Sequence, residues 1–188
     1  MKIRIKYAKT GVLRYIGHLD VMRYFQKAIR RAGLDVAYSQ GYSPHQLITF
    51  AAPLGLGVTS EGEYFDAEMN SLTSSEDMVT RLNATMAPGM EVKDIVQLKE
   101  GAKTAMAVVA ASDYLITCRE GYGDIPDFTD ALDAFYSQER IEVVKVSKTK
   151  ETQMDIKSFI YKLEAGENGI YMLLSTGSVD NIKPELVM

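Results

Sequence analysis

Residues 38–68 read YSQGYSPHQLITFAAPLGLGVTSEGEYFDAE, and the way this stretch divides decides the fold. Gly41 and Pro44 mark a turn, because glycine admits positive φ and proline fixes its own φ. Residues 46–52 then look extended, with Ile48, Thr49 and Phe50 at their centre. Residues 53–57 break that extension with Pro53, Gly55 and Gly57. From 62 to 69 the chain alternates, with Tyr64, Asp66 and Glu68 against Phe65, Ala67 and Met69. That is the two-residue period of a half-buried strand. Two extended segments follow one another with no helix between them.

Working outward, residues 1–7 alternate Ile3, Ile5 and Tyr7 with Lys2, Arg4 and Lys6, another half-buried strand. Lys9, Thr10 and Gly11 turn the chain. Residues 18–32 carry Leu19, Met22, Phe25, Ile29 and Ala32 at helical spacing, and Gly33 is the natural stop. Residues 34–38 read as a short strand. On the other side, Ser74 with Asp77 opens a helix to about residue 84, with Met78, Val79 and Leu82 inward. Pro88 and Gly89 end it, and 90–98 alternates again. The order β-α-β-β-α-β over 1–98 is the split-βαβ, ferredoxin-like arrangement, an antiparallel sheet with two helices on one face.

Residues 99–112 are alanine-rich without a clear period and read as a connection holding a short helix. Then come a strand at 113–119, a helix at 127–137 capped by Asp127, a strand at 141–147, and a hairpin of 159–164 with 170–175. This predicts a second, smaller α+β unit over 113–188, in the order of an incomplete ferredoxin-like half. A further helix is expected to start near residue 179, so the chain reads as cut short at its C-terminus. The class is α+β.

Composition narrows the chemistry. Of 188 residues one is cysteine, Cys118. An internal disulfide is excluded, and so is an iron–sulfur cluster held by this chain's own thiolates. A lone cysteine fits a cytoplasmic location, and Cys118, on a predicted strand, reads as a small buried residue. No run of 18 apolar residues offers a membrane span. Residues 1–50 hold nine basic and two acidic side chains, net +7, and the remainder hold 12 and 23, net −11. A face this basic fits a polyanion.

The basic residues Arg23, Lys27, Arg30 and Arg31 recur at helical spacing opposite the apolar stripe. They can engage phosphates, while Arg30 and Arg31 also suit the negative end of the helix dipole. His18 and His45 are the only histidines, and imidazole is the side chain best matched to proton transfer near neutrality. With Asp20 they could hold zinc, but no HxxxH or CxxC spacing is present, so no metal is expected. Tyr38, Tyr42, Phe50, Tyr64 and Phe65 interleave with the basic half and could stack unpaired bases. Neither GxxxxGK[ST] nor GxGxxG occurs, and residues 55–57 read as architecture. Residues 147–150, SKTK, read as a solvated turn.

Read together, His18-Leu19-Asp20, Arg30-Arg31-Ala32, Tyr38-Ser39, Gly41, Pro44-His45, Pro53-Leu54, Leu56-Gly57, Ser60, Glu63-Tyr64 and Asp66 resemble a bacterial family of radical-SAM-linked proteins. Gly17 stands where that family has serine, Ser43 where it has asparagine, and Gly55 where it has a second proline. The resemblance is specific over 1–98 and looser beyond, at Asp155-Ile156-Lys157 and over 178–186. It implies an accessory, substrate-handling partner of a radical-SAM protein, with a link to RNA metabolism. S-adenosylmethionine and an iron–sulfur cluster would sit on that partner and no cofactor on this chain.

Three functional expectations follow. The first is a substrate-presenting protein that binds RNA or another anionic substrate through Arg23, Lys27, Arg30, Arg31, Tyr42 and His45. The second is an endoribonuclease-like enzyme with His18 and His45 as acid and base. The third is a protein-interaction module that docks through the acidic second half, at Asp127, Asp130 and Asp133.

Overall fold

The computed structural model describes residues 1–119, 121–122, 128–146, 151–166, 169–177 and 180–188. The fold is α+β, in two compact units, Met1–Val108 and Val109–Met188. The division falls within the stretch 99–112, and residues 99–108 go with the first unit.

The first unit runs β1 (Lys2–Lys9), a 3-10 turn (Gly11–Tyr15), α1 (His18–Arg31), β2 (Ile48–Phe50), β3 (Ser60–Glu68), α2 (Ser75–Asn83), β4 (Met90–Gln97) and α3 (Ala105–Val108). The sheet order is β2-β3-β1-β4, and every neighbouring pair is antiparallel. Alternation decides which face is covered. Ile3, Ile5 and Tyr7 share a side with Phe65 and Ala67, and α1 and α2 bury that side with Val21, Phe25, Ala28, Ile29, Met78 and Leu82. The rings of Tyr7, Phe25, Phe50 and Phe65 meet at centroid separations of 4.7 to 6.1 Å.

Ser74 accepts a hydrogen bond from the Asp77 N–H and starts α2 as its sequence predicts. The outer edge of β4 is closed by a side chain. Asn83 donates through Nδ2 to the Val92 carbonyl and accepts at Oδ1 from the Val92 N–H, at 2.9 and 2.8 Å. One amide thus takes the place of a neighbouring strand at that residue.

Several details depart from the sequence reading. Leu19 is 64% exposed, and the helix instead turns Val21, Phe25, Ala28 and Ile29 inward. Residues 34–38 form no strand, only isolated bridges from Val36 to Met69 and from Tyr38 to Gln46. Leu34 and Val36 bury their side chains, but their backbone finds no continuous partner. Lys9 is not in a turn. It is the last residue of β1 and is 1% exposed.

The second unit holds β5 (Ala111–Ile116), α4 (Thr129–Tyr136), β6 (Glu142–Val146), β7 (Glu151–Asp155), β8 (Ile160–Gly166) and β9 (Gly169–Ser175). A three-stranded sheet has the order β5-β9-β8, and β6 pairs with β7. Ile141, Ile156, Ile160, Ile170, Met172, Leu174 and Ile182 form its core. β7 was not expected, because ETQMD lacks alternation. Cys118 is exposed, since β5 ends at Ile116 where its partner β9 begins. The expected C-terminal helix is a 3-10 turn at Pro184–Leu186. The Asp127 cap and the 147–150 turn lie outside the described residues.

Candidate functional site

α1 follows Gly17, which offers no side-chain cap, carries Asp20 in its first turn, and ends at Arg31. At about 100° per residue, Arg23, Lys27 and Arg30 fall within about 60° of one another, opposite the buried side of the helix. The axial rise of about 1.5 Å per residue spreads them over about 10 Å. Arg23 meets Asp20 at 3.5 Å, with both side chains largely exposed, a pairing of little energetic weight. The Lys27 and Arg30 side chains are exposed and have no hydrogen bond or ion pair to any described residue. Arg31 is different. Its Nη2 donates to the Thr85 carbonyl at 2.9 Å, so the last turn of α1 is tied to the end of α2.

The negative end of the α1 dipole is served by a residue the sequence did not point to. Arg81 of α2 donates through Nε to the Ala32 carbonyl at 3.0 Å and through Nη2 to the Gly33 carbonyl at 2.6 Å. Its Nη1 meets Asp77 at 3.0 Å. The hydrogen bonds from Thr73 and Arg81 hold the Asp77 carboxyl below the usual range.

Residues 38–46 form a closed loop on the other flank of α1. The Ser39 N–H donates to the His45 carbonyl at 2.9 Å, and the His45 N–H donates to Ser39 Oγ at 3.0 Å. Ser39 Oγ also meets His45 Nδ1 at 2.8 Å. Gly41 at φ 112° supplies the reversal, and Tyr42 beside it is fully exposed. Gln46 fixes the loop to the helix. Its Nε2 lies 3.1 Å from the Gln26 carbonyl and 3.3 Å from Tyr38 Oη. Its Oε1 is buried without a partner among the described residues. Arg30 lies one turn beyond Gln26 on this flank, so the loop and the exposed cations border one surface.

The two histidines are not brought together. His18 is the first residue of α1, and its ring stands edge-on to Phe50 with centroids 5.4 Å apart. His45 is anchored through its neighbour Gln46 to Gln26, about 12 Å further along the helix axis. The expected aromatics also divide. Phe50 and Phe65 are core, Tyr38 and Tyr42 are exposed, and Tyr64 is half-buried with Lys6 Nζ 6.0 Å from its ring centroid. Asp130 and Asp133 are exposed on α4.

The open face of the sheet carries a cleft of about 190 Å³ beside β2, lined by Lys2, His45, Thr49, Asp66, Glu68 and Thr104 among others. Its wall at 103–105 is held by the sheet. Arg4 grips Asp66 with Nε and Nη2, and the free Asp66 acceptor capacity takes the Ala105 N–H at 2.7 Å. Arg4 also donates to the Lys103 carbonyl at 2.9 Å. The hydrogen bonds it donates to Asp66 raise the Arg4 guanidinium above its ordinary value, so it stays charged. Lys2 meets Glu68 at 3.2 Å.

A third group lies at the end of β1. Lys9 Nζ donates to the carbonyls of Ile16 at 3.0 Å and Arg14 at 3.4 Å, and the Arg14 carbonyl also accepts the Gly57 N–H at 2.8 Å. Burial lowers the Lys9 ammonium and raises the Glu63 carboxyl and the Tyr7 phenol. Lys9 is thus an internal clamp on the loop before α1. A charged residue ending an alternating strand carries no sequence signal of such burial.

Among the described residues no group of three or more histidine, cysteine, aspartate or glutamate side chains is placed to hold a metal ion, and no helix is long and apolar enough to cross a membrane. No curated protein matches the chain. Residues 2–184 match the model of a family described as an uncharacterised protein conserved in bacteria (DUF2344), and the chain belongs to that family.

Proposed function

We propose that this protein is an accessory, substrate-presenting partner of a radical-SAM enzyme and that it holds RNA along α1. The observation that carries the reading is the pair Lys27 and Arg30, two exposed cations without a hydrogen-bond or ion-pair partner among the described residues, beside the closed loop that presents Tyr42 and His45. Arg23 extends the same stripe, and Arg31 flanks it while bonded to Thr85. Cations at this spacing suit a phosphate backbone, and an exposed tyrosine offers a face on which an unpaired base can stack. The radical-SAM half of the reading rests on the resemblance of residues 14–69 to that group of proteins. S-adenosylmethionine and an iron–sulfur cluster belong to the partner in this reading.

The test is fluorescence anisotropy with a short, mixed-sequence, single-stranded RNA across a salt series. The expected result is binding whose logarithmic affinity falls linearly with the logarithm of salt concentration. Absence of binding at low salt, or binding indifferent to salt, overturns the proposal.

A further inference from the structure

We propose that the cleft on the open face of the sheet beside β2 takes a single pyrimidine base. The inference rests on the RNA reading above for the source of that base. Size comes first. The cleft holds about 190 Å³, and a cavity of roughly 150 Å³ accepts one benzene ring. One six-membered ring with its exocyclic atoms fits.

Charge then separates this cleft from the basic stripe. Lys2 is balanced by Glu68 at 3.2 Å, and Arg4 is balanced by Asp66 at 2.8 Å. The cleft therefore has no surplus positive charge for a phosphate, which Lys27 and Arg30, unpaired among the described residues, supply instead. What remains free is a mixed set of hydrogen-bonding groups. One Glu68 oxygen and two Lys2 protons are left over from their ion pair, and the Thr49 and Thr104 hydroxyls make no hydrogen bond to any described residue. A carboxylate beside an ammonium matches adjacent donor and acceptor groups on one heterocycle edge. In uracil these are N3–H and a ring carbonyl, and in cytosine the amino group and N3. Leu47, Leu98 and Ala102 supply apolar walls for the ring faces.

The walls are already in place. Asp66, 7% exposed, fixes the 103–105 wall through the Ala105 N–H. Ser39 fixes His45, which belongs both to the cleft and to the loop beside α1. Little ordering is then needed on binding. The loop also connects the two sites over the edge of the sheet, so a strand lying along α1 can turn one base into the cleft.

The experiment compares short homopolymers of uridine, cytidine and adenosine, and the nucleoside uridine alone, against the full chain and against Ala102→Trp and Thr49→Trp. Both substitutions place an indole in the cleft from exposed positions away from α1, and two are used in case one fails to fold. The expected result is at least about fivefold tighter binding of the pyrimidine homopolymers, lost in either folded variant while the salt slope stays unchanged. Uridine binding that the tryptophan variants abolish, with no binding of any oligonucleotide, supports the cleft and sinks the RNA reading. Equal, salt-dependent binding of all three homopolymers, unaffected by either variant, overturns the cleft and leaves the α1 surface standing.

Discussion

Arg4 and Asp66 face each other across β1 and β3 and share two parallel hydrogen bonds, Nε to Oδ1 at 2.8 Å and Nη2 to Oδ2 at 3.0 Å. The same carboxylate accepts the Ala105 N–H, and the same guanidinium donates to the Lys103 carbonyl. One ion pair therefore fastens residues 103–105 to the open face of the sheet and gives the cleft its second wall. Asp66→Ala leaves a mostly enclosed guanidinium without its carboxylate, holding only the Lys103 carbonyl, and leaves the Ala105 N–H without its acceptor. The expected cost is about 2 kcal/mol in urea denaturation. Trypsin should cut at Lys99 and Lys103 faster than in the parent. An unchanged digestion pattern would show that the 103–105 wall does not depend on Asp66.

Arg81→Ala removes the donors to the Ala32 and Gly33 carbonyls at the end of α1. The expected loss is about 1 kcal/mol in thermal unfolding. Arg81→Lys should recover less than half, because an ammonium cannot reproduce the fork that reaches two carbonyls and a carboxylate together. Full rescue by lysine would reduce the role of Arg81 to its charge.

Glu63 sets a pH dependence of definite sign. Burial, the largest influence, raises its carboxyl above the ordinary value of 4.5, against the smaller opposing effects of Ser60 and Lys9. A raised folded value means that its contribution to stability is fully present below the unfolded value and is lost as pH rises through the folded value. Glu63→Gln should remove that loss. The stability of the variant relative to the parent should therefore grow as pH climbs from below 4.5 and then level off. A difference that is flat across that range, or that shrinks, contradicts the burial of this carboxyl.

Much of the first unit was legible in the sequence because its signals are local. The period of α1, the Ser74 cap and the alternation of β1 and β3 each need only a dozen residues. What stayed hidden depends on partners far along the chain. Arg81 serves carbonyls 48 and 49 residues away, and the Arg4–Asp66 pair requires the β1–β3 register, which no tight hairpin announces. The cleft inherits that difficulty, since Lys2, Thr49 and Glu68 meet only once the strands are aligned. Leu19 was misplaced because its spacing from Met22 fits a helical stripe. Yet it lies on the flank of α1 next to the polar surface, where the core does not reach. β7 had no apolar alternation to read. Of the candidate site, the cations and the loop could be named from sequence, but not the division of labour among the cations.

That division gives the last prediction. The Lys27 and Arg30 side chains make no hydrogen bond or ion pair with any described residue, whereas Arg31 holds the Thr85 carbonyl. If α1 carries a single strand of RNA, Lys27→Ala with Arg30→Ala should reduce the magnitude of the salt slope by about 1.4, or 0.7 for each lost phosphate contact. Unfolding stability should stay within about 0.5 kcal/mol of the parent, as befits exposed side chains without partners among the described residues. Arg31→Ala should behave differently and lower stability by about 1 kcal/mol through the loss of its bond between α1 and α2. Anisotropy titrations and urea denaturation on the same three proteins separate the two effects. A double variant that keeps the full slope places the phosphates elsewhere on the chain. One that loses stability instead shows that Lys27 and Arg30 serve the fold and not a ligand.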